Sequence, residues 1–208
     1  IKTIIYDQNE LTLKVNKKFF NKIWFKFEFF FRTYILNLPW ISPINNHKNK
    51  KKLKNCFYLP FAVEKKIKKK KKININKINL LTIGKFQKRK NLLMLCKIIN
   101  KIKNNYKIKL NIVGQVKYEH ERKYFNLIKN FILKNKLGQY IQINKNISHN
   151  SINRFYSQSD IFILPSTNEA AAISVLEAAA HGLPVIISNT SGTRGYFKNN
   201  YNAKYFDD

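Results

Sequence analysis

Cysteine is scarce in this sequence: Cys56 and Cys96 are too few and too far apart for a disulfide framework. Cys96 lies in a helical pattern and is predicted to be a buried thiol, which fits a reducing compartment. No signal peptide or transmembrane segment is recognisable, because charged residues interrupt the apolar run over residues 23–38. These absences predict a cytoplasmic location.

Acidic residues are also scarce, since 11 Asp and Glu stand against 40 Lys and Arg and give a formal net charge of +29. Such a charge attracts nucleic acids, phosphates and anionic membranes alike. Lysine is accompanied by abundant Asn, Ile, Phe and Tyr, whose codons are all A/T-rich, so a nucleotide bias in the gene would give the same composition without selection for a polyanion. Base-reading surfaces favour arginine, which is rare here. We therefore do not expect nucleic acid as the partner.

The common cofactor motifs are missing as well. The four histidines are scattered, with no carboxylates at ligand spacing, so no metal site is predicted. GxSxG and P-loop lysine motifs do not occur, and the turn at Gly114 lacks the GxGxxG pattern of a dinucleotide site. The sequence therefore predicts neither a metal nor a cofactor.

A regular pattern begins at Ile78. Strand patterns cover NLLTIGK, IKLNIVGQ, YIQINKNI and the apolar runs at residues 161–164 and 183–188. Helical patterns lie between them, over residues 91–104, 118–136, 151–157 (with Asn150 as the expected cap) and 170–180. This alternation predicts a parallel, doubly wound α/β sheet. Because its crossovers are right-handed, the carboxyl ends of the strands, and any binding site, are expected at one edge.

The chain before this pattern is predicted to form a separate section over residues 1–62. It contains a strand at 2–9, a basic and aromatic helix at 17–36, a short strand at 41–44 and an extended segment at 57–63. The lysine-rich residues 63–78 are predicted to be a solvated linker. We expect the helix to pack its apolar side within its own domain, with contact to an anionic membrane surface as the alternative.

Two lysines flank the turn after the first strand of the regular pattern. Gly84 lets the backbone turn sharply, and Lys85 and Lys90 bracket the turn, so both ammonium groups can point into the crevice at the sheet edge. Such a pair suits a pyrophosphate, whose charge it would neutralise. Because lysine is abundant throughout this chain, it is the position of the pair that supports the interpretation.

Residues 160–193 have the pattern of a strand, loop, helix, turn and strand. Glu169 lies in the loop, and Glu177 lies about two turns into the helix, on the same face as Ser174. The small alanines at 170–172 would let an anion approach the first N–H groups of the helix. We expect Glu177 to accept hydrogen bonds from a ribose diol and Glu169 to accept them from hydroxyls on a group being transferred.

These residues resemble the nucleotide-sugar-binding domain of the group 1 glycosyltransferases, which are retaining enzymes of the GT-B fold. The family signature has two glutamates before and inside a helix, which here reads Glu169-AAAISVL-Glu177-AAAHGLPV. The strand SDIFILPS and the turn G-K-x4-K-N at residues 84–91 also fit. The resemblance covers residues 80–208 and implies a Rossmann-like donor domain at 79–208, without its closing helices.

The resemblance implies a role for each candidate residue. Glu169 faces the donor sugar and, with Lys90, is assigned to catalysis, while Glu177 holds the ribose. The phosphate contacts are assigned to Gly84, Lys85, Lys90 and the backbone N–H groups of Ala172 and Ile173. The sugar keeps its anomeric configuration, and no metal is required.

The sequence departs from the family pattern in three features. Lys85 stands where arginine is commoner, so a bidentate phosphate contact is lost. Ala171 and Ala172 replace an aromatic–glycine pair, and the turn at Gly114 lacks its usual second glycine. The alanine version, together with NTSGTR at residues 189–194, resembles family members that build bacterial lipopolysaccharide or capsule.

The expected function is therefore transfer of a sugar from a nucleotide-diphosphate sugar to a glycan or lipid-linked acceptor, in cell-envelope polysaccharide biosynthesis. Residues 1–62 resemble the end of the acceptor domain, so the chain is expected to be a fragment that is inactive alone. Two alternatives stay open: a non-catalytic module that binds polyanions, such as nucleic acid or anionic membrane, and a degenerate remnant that binds nucleotide without turnover. The expected location is cytoplasmic, with peripheral contact to the inner face of the cytoplasmic membrane as a further possibility.

Overall fold

The computed structural model describes residues 5–6, 27, 30–43, 56–66, 73–74, 76–167, 169 and 171–207. The chain divides into two compact units, Ile1–Ala62 and Val63–Asp208. The lysine run at 67–72 and most of the helix predicted at 17–36 lie outside the described residues. In the described part of the chain, no helix combines the length and apolar character needed to cross a bilayer.

The first unit contains a three-stranded parallel sheet in the order β1 (Ile5–Tyr6), β2 (Trp40–Ser42) and β3 (Cys56–Tyr58). β2 begins one residue before the predicted strand and ends at Ser42, because the following Pro43 has no N–H for a sheet hydrogen bond. The described end of the predicted helix is helical, with a π-turn at Phe31–Ile35. The extended segment predicted at 57–63 forms a strand only as far as Tyr58.

The second unit contains a six-stranded sheet whose neighbours are all parallel, in the order β6-β5-β4-β7-β8-β9. Its strands are β4 (Ile78–Ile83), β5 (Ile108–Gly114), β6 (Ile141–Lys145), β7 (Ile161–Leu164), β8 (Val185–Ser188) and β9 (Ala203–Phe206). This is the strand order of the Rossmann fold. The predicted doubly wound parallel sheet is confirmed, although the sequence pattern did not indicate β9.

Four helices cover the two faces of this sheet: α1 (Leu92–Ile102), α2 (Glu119–Lys134), α3 (His149–Gln158) and α4 (Ile173–Ala180). Successive residues of a strand point to opposite faces, and the core divides accordingly. Leu80 packs in a cluster with residues of α1 and α2, whereas its neighbour Leu81 packs with residues of α3 and α4. Cys96 of α1 is fully buried as predicted, and burial raises the pKa of its thiol to about 12.

All four helix starts differ from the sequence prediction, α2 only by one residue, since it begins at Glu119 and not at 118. α1 begins after Asn91, which takes a left-handed backbone conformation with φ of 49°. α3 begins at His149 after Ser148, so Asn150 lies inside the helix and is not its cap. α4 begins at Ile173 and not at residue 170, because Ala172 is extended, with φ of −107° and ψ of 102°. Alanine favours helix, but the loop before α4 is held in another conformation by its neighbours.

Candidate functional site

The candidate site lies where β4 and β7 end side by side. These strands are neighbours in the sheet, and the strand order reverses between them. At such a switch point the connections leave towards opposite faces and open a crevice at the carboxyl ends of the strands. Residues 84–91 follow β4 and residues 165–172 follow β7, so two of the predicted site segments meet at this edge.

The turn after β4 brings Lys90 back over Gly84. The Gly84 N–H donates to the carbonyl of Val113 at 3.0 Å, which extends the pairing of β4 with β5. A 3-10 turn at Lys88–Lys90 then reverses the chain. A Cβ placed on Gly84 would lie 3.4 Å from Cδ and Cε of Lys90, so the lysine side chain passes directly over this glycine.

Lys90 and Glu169 form a buried ion pair across the two segments. Nζ of Lys90 lies 2.5 Å from Oε2 of Glu169, and the two residues are only 9% and 7% exposed. Nη1 of Arg89, which is half exposed, lies 2.6 Å from the same oxygen. Within the described part of the chain, the hydrogen bonds to the Glu169 carboxylate all go to Oε2, and none goes to Oε1.

The surroundings of Lys90 carry an excess of positive charge. Burial lowers the pKa of its ammonium group below the ordinary 10.5, and the neighbouring charges of Arg89 and Lys85 lower it further. The carboxylate of Glu169 acts in the opposite direction without cancelling these effects. Among the described residues around Lys90, an anion entering the crevice would therefore meet three basic side chains and one carboxylate, which favours a ligand with more than one negative charge.

The backbone on both sides of Glu169 is fixed by hydrogen bonds. The Thr167 N–H donates to the carbonyl of Arg89 at 2.9 Å, and the Gly192 N–H donates to the carbonyl of Glu169 at 2.7 Å. Gly192 begins a 3-10 turn, Gly192–Tyr196, that follows β8. The loop carrying Glu169 is thus held between the turn after β4 and the turn after β8.

The start of α4 offers fewer free backbone N–H donors than the sequence predicted. The Ala172 N–H donates to Oγ1 of Thr193 at 2.9 Å, so this amide, assigned to the distal phosphate, is already occupied. Among the described residues, the N–H of Ile173 has no acceptor. Because Ile173 is the first residue of α4, its N–H has no partner within the helix and can serve a bound anion.

Glu177 lies further along α4, away from direct contact with Lys90 or Glu169. Oγ of Ser174, one turn before it, lies 3.5 Å from the carbonyl oxygen of Ile83, so the first turn of α4 lies against the end of β4. The hydroxyl of Tyr156 donates to Oε2 of Glu177 at 2.7 Å. Lys90 therefore contacts both Gly84 and Glu169, and the charge of Lys85 acts on Lys90. Glu177 is connected to this group indirectly, because Ser174 on the same helix lies against the end of β4.

Sequence reasoning missed three residues that fix the site: Arg89 and Tyr156, which bond the two acids, and Thr193, which accepts from the Ala172 N–H. Arg89 lies in the basic run KRK, and charged residues in such a run are expected to be exposed to solvent. Tyr156 lies in a helical pattern whose apolar side indicates packing only. Thr193 belongs to NTSGTR, which carried a family resemblance but no predicted contact. Each partner is chosen by the folded arrangement, and spacing along the chain does not show it.

Glu121 is a fully buried acid that contacts the turn after β4. Its Oε1 accepts from Nε2 of Gln87 at 2.9 Å, and its Oε2 accepts from the backbone N–H groups of Lys117 at 2.8 Å and Tyr118 at 3.2 Å. Gln87 lies in the turn after β4, so Glu121 ties this turn to the start of α2. Burial raises the pKa of the Glu121 carboxyl, but these hydrogen bonds lower it more, and the net pKa lies below the ordinary 4.5.

Glu121→Gln is expected to destabilise the protein by about 1–3 kcal/mol, because the amide offers one acceptor oxygen where three donors converge. The margin between wild type and variant should also depend on pH. The pKa is lower in the folded than in the unfolded state, so the stabilisation is present above the unfolded pKa and is lost as the pH falls through the folded pKa. Urea unfolding at pH 7 and at successively lower pH measures both effects. Glu119→Gln, an exposed acid in the same helical turn, is the control, and an equal loss in both variants would contradict the assignment.

No group of three or more His, Cys, Asp or Glu side chains that could hold a metal ion occurs among the residues that the structure describes.

An open Rossmann-like sheet with a basic turn and an acidic loop at its switch point is a fold that binds ligands with phosphate groups. Residues 63–208 match the family described as glycosyl transferases group 1. The chain therefore belongs to this family, and the resemblance found in the sequence is confirmed.

Solved structures show the same fold. A glycosyltransferase from Rickettsia africae superposes with a TM-score of 0.74 at 20% identity, covering 88% of this chain and 52% of that one. The Anabaena protein HepE, solved with UDP and glucose, superposes with a TM-score of 0.76 at 11% identity, covering 98% of this chain and 57% of that one. These likenesses confirm the predicted α/β, GT-B fold class, and the chain spans about half the length of these structures.

A sequence relative is also found. The Escherichia coli protein named UDP-Gal:alpha-D-GlcNAc-diphosphoundecaprenol alpha-1,3-galactosyltransferase is 39% identical over 54 residues, which are 26% of this chain and 14% of that protein.

Proposed function

We propose that this chain carries the donor-binding half of a retaining glycosyltransferase, which moves a sugar from a nucleotide-diphosphate sugar to a glycan or lipid-linked acceptor. The buried pair of Lys90 and Glu169 at the switch point carries this proposal. Lys90, the proposed contact to the diphosphate, and Glu169, the proposed contact to the sugar, lie side by side, and Arg89 and Lys85 add positive charge around them.

Each group has a defined part in the proposed transfer. The bond between the anomeric carbon and the β-phosphate oxygen breaks, and the acceptor hydroxyl oxygen bonds to that carbon on the same face. The hydroxyl proton leaves with the diphosphate. Lys85 and Lys90 stabilise the charge that develops on the departing group, while Glu169 orients the sugar through its Oε1. Glu177 accepts hydrogen bonds from the ribose, and the Ile173 N–H faces the distal phosphate. The side chains supply the positive charge, so no metal is assigned a part.

The proposed acceptor and pathway are drawn from the sequence relative. The Escherichia coli relative is named for a lipid diphosphate acceptor and the donor UDP-Gal. This supports the proposal that the whole protein acts in cell-envelope polysaccharide synthesis on the cytoplasmic face of the membrane. Exposed aromatic residues of the first unit, such as Phe27 and Phe30, suit contact with a membrane surface. Residues 1–62 are proposed to be the end of the acceptor domain, joined to the donor domain by a linker at 63–78.

Calorimetric titration with UDP, GDP and ADP tests the proposal. One of the three should bind, and Glu177→Ala should weaken it by tenfold or more, because charged hydrogen bonds to the ribose are lost. Unchanged affinity in this variant would contradict the ribose assignment. Tight, steeply salt-dependent binding of arbitrary duplex DNA with no nucleotide preference would favour a polyanion-binding module instead.

A further inference from the structure

Glu177 is held by a side chain from a different helix. We propose that Tyr156, on α3, is a positioning residue for the nucleotide site, which fixes the Glu177 carboxylate so that its second oxygen meets the ribose diol. The hydroxyl of Tyr156 donates to Oε2 of Glu177 at 2.7 Å. This inference rests on the function proposed above, in which Glu177 binds the ribose.

The ring of Tyr156 is held in place by the side chains packed around it. It is 1% exposed and stacks on the ring of His181, with 4.8 Å between centroids and 23° between planes. The ring of Phe162 lies on β7 with its centroid 6.1 Å away. Nδ1 of His181 is itself 2.8 Å from the carbonyl oxygen of Glu177, which keeps the histidine in place. Packing thus fixes the direction in which the tyrosine hydroxyl points.

The hydroxyl of Tyr156 has one proton and two acceptors within reach. The Glu177 carboxylate oxygen is at 2.7 Å, and the carbonyl oxygen of Ser174 is at 3.2 Å. The carboxylate is both nearer and charged, so it takes the proton in the stronger hydrogen bond. Burial raises the pKa of Tyr156, and the bond to Glu177 and its negative charge raise it further, so the hydroxyl remains a donor at neutral pH.

The arrangement leaves one oxygen of Glu177 for the ligand. No described residue donates to its Oε1. A glutamate side chain loses rotamer freedom when it binds, and a hydrogen bond made before the ligand arrives removes part of that cost. Tyr156 therefore acts on ribose binding through Glu177, without touching the nucleotide.

The test compares two ligands that differ only at the ribose. The 208-residue chain is titrated with whichever of UDP, GDP and ADP it binds, and with the 2′,3′-dideoxy form of the same nucleotide. Wild type is expected to prefer the ribonucleotide. Tyr156→Phe should reduce that preference by roughly five- to tenfold, with little change in affinity for the dideoxy form. Because the preference is a ratio measured on one folded population, partial unfolding of the variant does not change it.

The matched control is Tyr124→Phe. Tyr124 is also buried, and its hydroxyl accepts from the N–H of Leu93 at 3.1 Å, in the core on the other face of the sheet. Its variant should keep the wild-type preference. An unchanged preference in Tyr156→Phe would overturn the inference and leave this tyrosine a packing residue. Equal binding of both nucleotide forms by wild type would also overturn it, while nucleotide binding itself would still stand. Failure of all three nucleotides to bind would overturn the proposed function as well.

Discussion

Lys90→Met is expected to lower the affinity for the nucleoside diphosphate by about two orders of magnitude, which corresponds to roughly 2.7 kcal/mol. In the proposed role the buried ammonium would donate a charge-assisted hydrogen bond to the diphosphate, and water cannot replace it at this depth. Methionine keeps the length and the apolar stem of the side chain, so packing over Gly84 is retained. Glu169 keeps its contact with Arg89.

Lys88→Met is the matched control for this prediction. Lys88 lies in the same 3-10 turn and is exposed, so its loss changes the net charge without removing a contact in the crevice. Its effect on affinity should stay within about threefold, because exposed charges are screened by solvent and salt. Calorimetry with the nucleoside diphosphate and with the nucleoside alone separates phosphate contacts from base contacts. An equal loss in the two lysine variants would show that Lys90 acts only through overall charge.

Gly114→Ala is expected to destabilise the second unit by about 3 kcal/mol, the largest stability effect among these predictions. A Cβ at this position would lie 2.2 Å from the carbonyl oxygen of Gly84 and 2.8 Å from Cε2 of Phe86. The Gly84 oxygen belongs to backbone that pairs with β5, and Phe86 is fully buried, so neither atom can move without a shift of the turn. Because this turn also carries Lys90, nucleotide affinity should fall with stability.

Gly138→Ala provides the comparison, since a Cβ at Gly138 meets nothing within 4 Å. This substitution should be neutral or stabilise the protein by about 0.4–1 kcal/mol, because alanine restricts the unfolded chain. Urea unfolding of both variants measures the difference. A Gly114→Ala protein as stable as wild type would mean that β5 can move away from the turn, and the close approach of the two glycines would then not determine the structure.

The sheet could be predicted from the sequence because each buried strand is a short apolar run that can be recognised from neighbouring residues alone. NLLTIGK and IFILP are apolar runs of strand length, and each ends in a turn residue. β9 escaped prediction because AKYF is short and alternates a lysine with apolar residues. The start of α4 was misplaced because alanine favours helix, whereas the Ala172 N–H is held by Thr193 in an extended loop.

Some residues of the candidate site could be predicted from the sequence, and others could not. Gly84, Lys90 and Glu169 were found because residues that follow parallel strands gather at one edge, which is a property of the topology. Arg89 and Tyr156 were missed because their partners lie 80 and 21 residues away. Choosing a partner at such a separation depends on which rotamers the packed core allows, and no local pattern contains that information.

The long separation between the partners of the buried ion pair has a consequence for biosynthesis. Lys90 and Glu169 are 79 residues apart, and the backbone of Glu169 is secured by Gly192, which is made later still. A nascent chain emerging from the ribosome can pair β4, β5 and β6 early, but its crevice stays unfinished until the segment after β8 has been translated. If nucleotide binds as proposed, it can therefore assist folding only after that segment has been made, and a chain that stops before it would gain no protection from the ligand.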